Sequence, residues 1–124
     1  MSLAGKQLGQ EGEERAARYL SRRGYRILER NYRTPGGEID LIALHEGVVV
    51  FVEVKTRTSN AYGAPELAVT PHKRRRMVKA ALGYIKRRKF HQVPCRFDVV
   101  AISAATEQEV ELIQNAFEID HTHL

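Results

Sequence analysis

The chain reads as one α/β unit in the order α-β-β-β-α-β, a mixed central sheet flanked by helices. Three observations predict that class. Apolar residues recur at helical spacing over residues 8–23. Two β-rich runs, 38–44 and 48–56, flank a single turn signal, Glu46-Gly47. Thr70-Pro71 then opens a second helical period, with further strand-like sequence beyond it.

Each element has its own signature. In residues 8–23, Leu8, Gly12, Ala16, Tyr19 and Leu20 share one face, and Gly24 stops the helix. Residues 25–32 alternate as a strand, with Tyr25, Ile27 and Glu29 against Arg26, Leu28 and Arg30. Thr34-Pro35-Gly36-Gly37 is a strong turn signal. Residues 59–70, with Asn60, Gly63 and Pro65, have no period and read as a functional or mobile loop. Thr70 caps the second helix with Pro71 in its first turn. Val78, Ala81, Leu82 and Ile85 form its expected buried stripe, and Gly83 weakens its interior. Residues 96–102 read as a strand, and 109–117 as another strand or a short helix.

The 124 residues suit a single domain, 1–124, with tails expected to fray over 1–7 and 119–124. Residues 1–16 are too polar for a signal peptide, and the apolar run 48–52 is too short to cross a bilayer. No membrane partner is therefore expected. A lone cysteine, Cys95, excludes an internal disulfide and suits a reducing cytoplasm. Beside Pro94 and Arg96 it reads as structural or incidental.

Charge is unevenly distributed around the net +5. Residues 72–89 hold nine Lys or Arg and no acid, whereas 104–124 hold five acids and no Lys or Arg. A basic helix of this kind fits a polyanion such as nucleic acid, and it also fits a solvated surface.

The hairpin carries the chemistry. If the chain reverses about Glu46-Gly47, Asp40 falls opposite Glu53 and Glu38 opposite Lys55. Opposite residues share a sheet face, as do residues two apart, so four charges would gather at one spot. Two opposed carboxylates are destabilising unless a cation or proton lies between them. Hard cations such as Mg²⁺ take carboxylate and carbonyl oxygens, here Asp40, Glu53 and the backbone carbonyl of Val54. Lys55 could then orient a water or neutralise phosphate charge. The bland alternative is a set of ion pairs on an exposed face, which leaves Glu53 opposite Asp40 unexplained. In the first helix, Glu13 lies on or beside the buried stripe, where it reaches the metal directly or through water, or merely borders the interface. Glu14 aligns with Arg18 as a surface ion pair. The histidines (His45, His72, His91, His121, His123) lack the spacing of a zinc site.

Several motifs together resemble the YraN-like family. They are Gly9-x-x-Gly12-Glu13-x-x-Ala16-x-x-Tyr19-Leu20, Asn31-Tyr32-Arg33, and Gly37-Glu38-Ile39-Asp40-Leu41-Ile42-Ala43. They continue with Val52-Glu53-Val54-Lys55-x-Arg57 and Asn115-Ala116-Phe117, and the likeness runs from about Gly9 to Glu118. The resemblance implies a restriction-endonuclease-like fold and the PD-(D/E)xK site shared with archaeal Holliday junction resolvases. It implies Asp40 and Glu53 as metal ligands, Glu13 as the helix carboxylate, and Lys55 as the catalytic lysine. Mg²⁺ (or Mn²⁺) is the expected cofactor. Glu38 would stand beside the ligands, in Glu38-Ile39-Asp40, which replaces the Pro-Asp element of the wider superfamily. Lys73 matches a family lysine expected to contact phosphate. Arg75, Arg76, Lys79, Arg57 and Arg33 complete the expected nucleic-acid surface. Asp98 also matches a family position and reads as structural or as a support behind the ligands, since no spacing brings it to the metal.

The expected function is therefore a Mg²⁺-dependent DNA endonuclease acting on branched or structured DNA. The alternative is a nucleic-acid-binding protein that keeps the fold without cutting. Resolving a four-way junction requires two cuts, so that reading implies a homodimer.

Overall fold

The structure, a computed structural model, describes residues 3–57, 69–104 and 109–118, with side chains from residue 9 onward. Its elements are α1 (Leu3–Arg22), β1 (Arg26–Thr34), β2 (Gly37–His45), β3 (Val48–Arg57), α2 (Pro71–Arg88), β4 (Cys95–Ser103) and β5 (Val110–Phe117). The α-β-β-β-α-β order holds, and the ambiguous last segment is a strand. Helix α1 begins at Leu3, earlier than the apolar period indicates, over residues of good helix propensity such as Leu3, Ala4, Lys6 and Gln7. Most of the expected loop over 59–70, and the expected tail 119–124, lie outside the described residues.

The strands form one sheet in the order β1-β2-β3-β4-β5. All neighbours are antiparallel except β3 and β4, which run parallel because α2 carries the chain back to the start of the sheet. This is a mixed sheet with a helix on each face, the α/β architecture of a restriction-endonuclease-like core. The sheet separates two apolar clusters. Against α1, Ala16, Ala17 and Leu20 pack on Leu41, Ala43, Val50, Val52, Val100 and Ile102. Against α2, Met77, Val78, Ala81 and Tyr84 pack on Ile39, Ile42, Phe51 and Phe97. Because both faces are covered, β3 and β4 read as nearly continuous apolar runs.

Local chemistry sets the element ends. Pro35-Gly36 turns the chain from β1 to β2, with Thr34 Oγ1 accepting from the Gly37 amide at 3.1 Å. Glu46 and Gly47 both adopt positive φ (50° and 80°), the geometry of a tight two-residue hairpin turn. Thr70 caps α2 by accepting from the Lys73 amide at 3.2 Å, and Pro71 follows it. The buried face of α2 differs from the expected stripe. Met77, Ala80 and Tyr84 join Val78 and Ala81 at its centre, while Leu82 and Ile85 lie at its margin. The expected stripe followed the aliphatics and passed over the aromatic that the sheet holds most closely.

Candidate active site

The hairpin register is the one the turn predicts, with Leu41 opposite Val52 and His45 opposite Val48. The β2–β3 pairing stops at Leu41 and Val52. Beyond that point β2 stays with β1 as far as Gly37, and β3 stays with β4 as far as Arg57. The sheet therefore forks, and Asp40 and Glu53 stand as the first residues on the two sides of the fork.

Asn31 helps to open it. It takes positive φ (50°) between the pairs Arg30–Leu41 and Tyr32–Ile39, and so faces Asp40. Asparagine tolerates this conformation better than most residues. The neighbours of Asp40 show the effect on β2. Ile39 packs in the α2-side cluster, while Leu41, only two residues on, packs against α1. Strand alternation breaks at Asp40, which leaves it half-buried at the fork with Oδ2 accepting from the Val54 amide at 2.8 Å. The Val54 carbonyl shares that strand edge with its amide.

Glu53 is the buried member, 2% exposed. Burial, and then the nearby Asp40 charge, push its carboxyl up to about 8, although Lys73 pulls the other way. Lys73 Nζ lies 2.5 Å from Glu53 Oε1. Burial acts to lower the Lys73 ammonium, but Glu53 outweighs it and holds it above its usual range. Lys55 shifts the opposite way, lowered by burial and then by Lys73. Asp40, Glu53, Lys55 and Lys73 thus form one interacting group.

Glu13 approaches from the other side. Its carboxyl is raised by burial and then by Asp40, while a hydrogen bond from Asn31 and the charge of Arg33 act to lower it. It lines a small cavity of about 180 Å³ with Gln10, Glu14, Arg30, Asn31 and Leu41. Gly12 brings α1 close, since a Cβ there would collide with the Thr56 hydroxyl. Asp40 is the group that both half-sites share. Among the described residues, no three His, Cys, Asp or Glu side chains stand close enough to hold a metal by themselves.

One expected contact is corrected. Glu38 does not face Lys55, because the fork has already parted the strands. It pairs with Arg33 on β1, at 3.9 Å between Arg33 Nε and Glu38 Oε2. Its charge still acts on Glu13, whose carboxyl it helps to raise. The Lys73–Glu53 contact was missed in the sequence, although one signal was present. A lysine in a first helical turn opposes the helix dipole, and α2 has no acid there.

The other expected residues spread outward. Arg75 and Lys79 are exposed on α2, while Arg76 is half-buried, its carbonyl lying where any Cβ at Gly37 would go. Arg33 is exposed, and Arg57 ends β3 opposite Ser103. Glu14 pairs with Arg18 at 3.8 Å, as expected, and with Arg30 at 2.7 Å. Asp98 is fully buried on β4 opposite Val52, held by Arg96, Tyr25 and the Asn115 amide. Every Asp98 oxygen is engaged, which suits a structural role.

The donor set fits a hard divalent cation. Two carboxylates meet in a largely dry place, with the Val54 carbonyl on the same edge, and burial of one makes its charge costly unless a cation compensates it.

Sequence comparisons place these residues among known chains. Residues 12–102, which contain the whole fork, match the uncharacterised protein family UPF0102. The chain is 49% identical over 120 residues to a UPF0102 protein of Geobacter metallireducens, covering 96% of this chain and 98% of that one. It is 47% identical over 125 residues to a UPF0102 protein of Trichlorobacter lovleyi, at 96% and 98% coverage. A UPF0102 protein of Symbiobacterium thermophilum is 48% identical over 114 residues, at 90% and 97% coverage.

Proposed function

This chain belongs to the uncharacterised protein family UPF0102, a nuclease-like family of the PD-(D/E)xK type, and on that premise we propose that it is a metal-dependent DNA endonuclease. The supporting observation is the buried Glu53 beside Asp40 at the mouth of the sheet fork, flanked by Lys55 and Lys73. Asp40, Glu53 and the Val54 carbonyl would hold Mg²⁺ or Mn²⁺, with Glu13 reaching the shell through water. Bound there, the cation would act as a Lewis acid on a phosphoryl oxygen and supply a more acidic water.

The chain's own residues do the rest. The Val54 amide fixes the Asp40 carboxylate, so one ligand is oriented before any cation arrives. Lys55, whose ammonium is lowered from its usual range by burial and by Lys73, is suited to hydrogen-bond the attacking water and to answer charge developing on the phosphate. Arg33, Arg57, Arg75, Arg76 and Lys79 would bind the backbone around the scissile bond. Branched or otherwise structured DNA is the proposed substrate, and a homodimer is proposed where two cuts are required.

The test incubates wild type and Lys55→Ala with linear, flapped and four-way DNA, in Mg²⁺ or EDTA. We expect Mg²⁺-dependent cleavage of at least one structured substrate, lowered about 100-fold or more in Lys55→Ala. Binding without cleavage on every substrate would replace the enzyme reading with that of a nucleic-acid-binding protein.

A further inference from the structure

We propose that Lys73 is the resident counterion of the fork: it holds Glu53 until a divalent cation displaces it, and it then turns to the substrate phosphate. This rests on the reading of the fork as a metal-dependent phosphodiesterase site, and it adds an order of events that the fold alone does not supply.

Lys73 and a cation would share one carboxylate. Lys73 Nζ sits 2.5 Å from Glu53 Oε1, and Glu53 is buried among its neighbours. A cation held by Asp40 and Glu53 would bring two positive charges against the ammonium in a place with little solvent to screen them. That repulsion loosens the hold of Lys73 on Glu53. With both carboxylates ionised, as a bound cation requires, Asp40 and Glu53 only balance Lys55 and Lys73. Adding a divalent cation leaves a surplus of two positive charges, which favours the arrival of a phosphate.

The base of Lys73 is fixed, because its amide is bound to the Thr70 hydroxyl and the Arg74 amide bonds the Thr70 carbonyl at 2.9 Å. Neighbouring Val69 is buried, and its carbonyl accepts from Arg74 Nε at 3.0 Å. Only the side chain, which is 32% exposed, needs to move. Its alternative partner is provided for as well. The first turn of α2 carries no acid, and the amides of a helix N-terminus favour an anion. A lysine released there is better matched by a phosphate oxygen than by solvent. Metal loading and phosphate capture then reinforce each other, as linkage requires.

The test measures Mn²⁺ affinity without nucleic acid, by paramagnetic resonance of free Mn²⁺, for wild type, Lys73→Met and Lys73→Gln. Lys89→Met, which removes one exposed charge at the far end of the same helix, is the control. Both Lys73 substitutions keep most of its stem, and circular dichroism checks that α2 is retained. Lys73→Met and Lys73→Gln are expected to bind Mn²⁺ about 5-fold or more tightly than wild type, with Lys89→Met changing much less. Equal or weaker binding by the Lys73 variants, with wild type still binding Mn²⁺, would overturn the counterion role and leave the metal site standing. Binding by none of the proteins would overturn the metal site and the counterion role together.

Discussion

Glu53 sets how the molecule should respond to pH. Its folded carboxyl lies at about 8 against an ordinary 4.5, because it is buried beside Asp40. Between those values the folded protein holds a proton that the unfolded chain has released. Stability without metal should therefore be greatest at the acidic end and fall as pH rises from about 4.5 to about 8. Lys73 does not alter this window, since its raised ammonium titrates well above it. Urea unfolding at stepped pH should show the decline, on the order of a few kcal/mol, and Glu53→Gln should flatten it. A slope unchanged in Glu53→Gln would mean that another group titrates. Added Mg²⁺ should stabilise more at the basic end than at the acidic end, because a cation favours the ionised carboxylate.

At the scale of elements, the fork depends on how closely α2 and the β1–β2 turn approach each other. A Cβ at Gly37 would run into the Arg76 backbone carbonyl, which cannot rotate away. Gly37→Ala should cost about 1–3 kcal/mol in thermal or denaturant unfolding. Tyr84→Phe should go the other way or be neutral, since the Tyr84 hydroxyl is buried with no hydrogen-bond partner among the described residues. A marked loss in Tyr84→Phe would reveal a partner, such as a bound water. The hairpin and its register were legible because Glu46-Gly47 was the only turn signal between two apolar runs, and a one-residue slip would have turned every side chain over. The cap on α2 was legible for a similar reason, as Thr70-Pro71 acts locally. The fork was not. It arises where Asn31 adopts a left-handed conformation across from Asp40, and neither residue shows that in a linear pattern. Glu38 was assigned to the cluster by extending the ladder through that break. Lys73 entered it because a helix distant in sequence, packed across β2, brings its first turn to the fork.

For the whole molecule, the basic run on α2 divides into two roles. Arg74 lies over Phe117, and Arg87 lies over Tyr32 and Tyr84 while pairing with Glu29 at 3.3 Å. These side chains belong to the packing. Arg75, Lys79 and Lys86 are exposed along a helix about 27 Å long that begins at the fork. If duplex backbone follows that line, Lys79→Ala should lower the slope of log affinity against log salt by about 0.9. An unchanged slope in fluorescence anisotropy would place the nucleic acid elsewhere. No helix among the described residues is long and apolar enough to cross a membrane. The account as a whole turns on whether a cation enters between the two carboxylates that the fork brings together. The most direct measurement is anomalous diffraction from crystals soaked in Mn²⁺. We expect a manganese peak bridging Asp40 and Glu53, with the Lys73 ammonium withdrawn from Glu53. Manganese bound elsewhere, with Lys73 still on Glu53 at saturating metal, would contradict it.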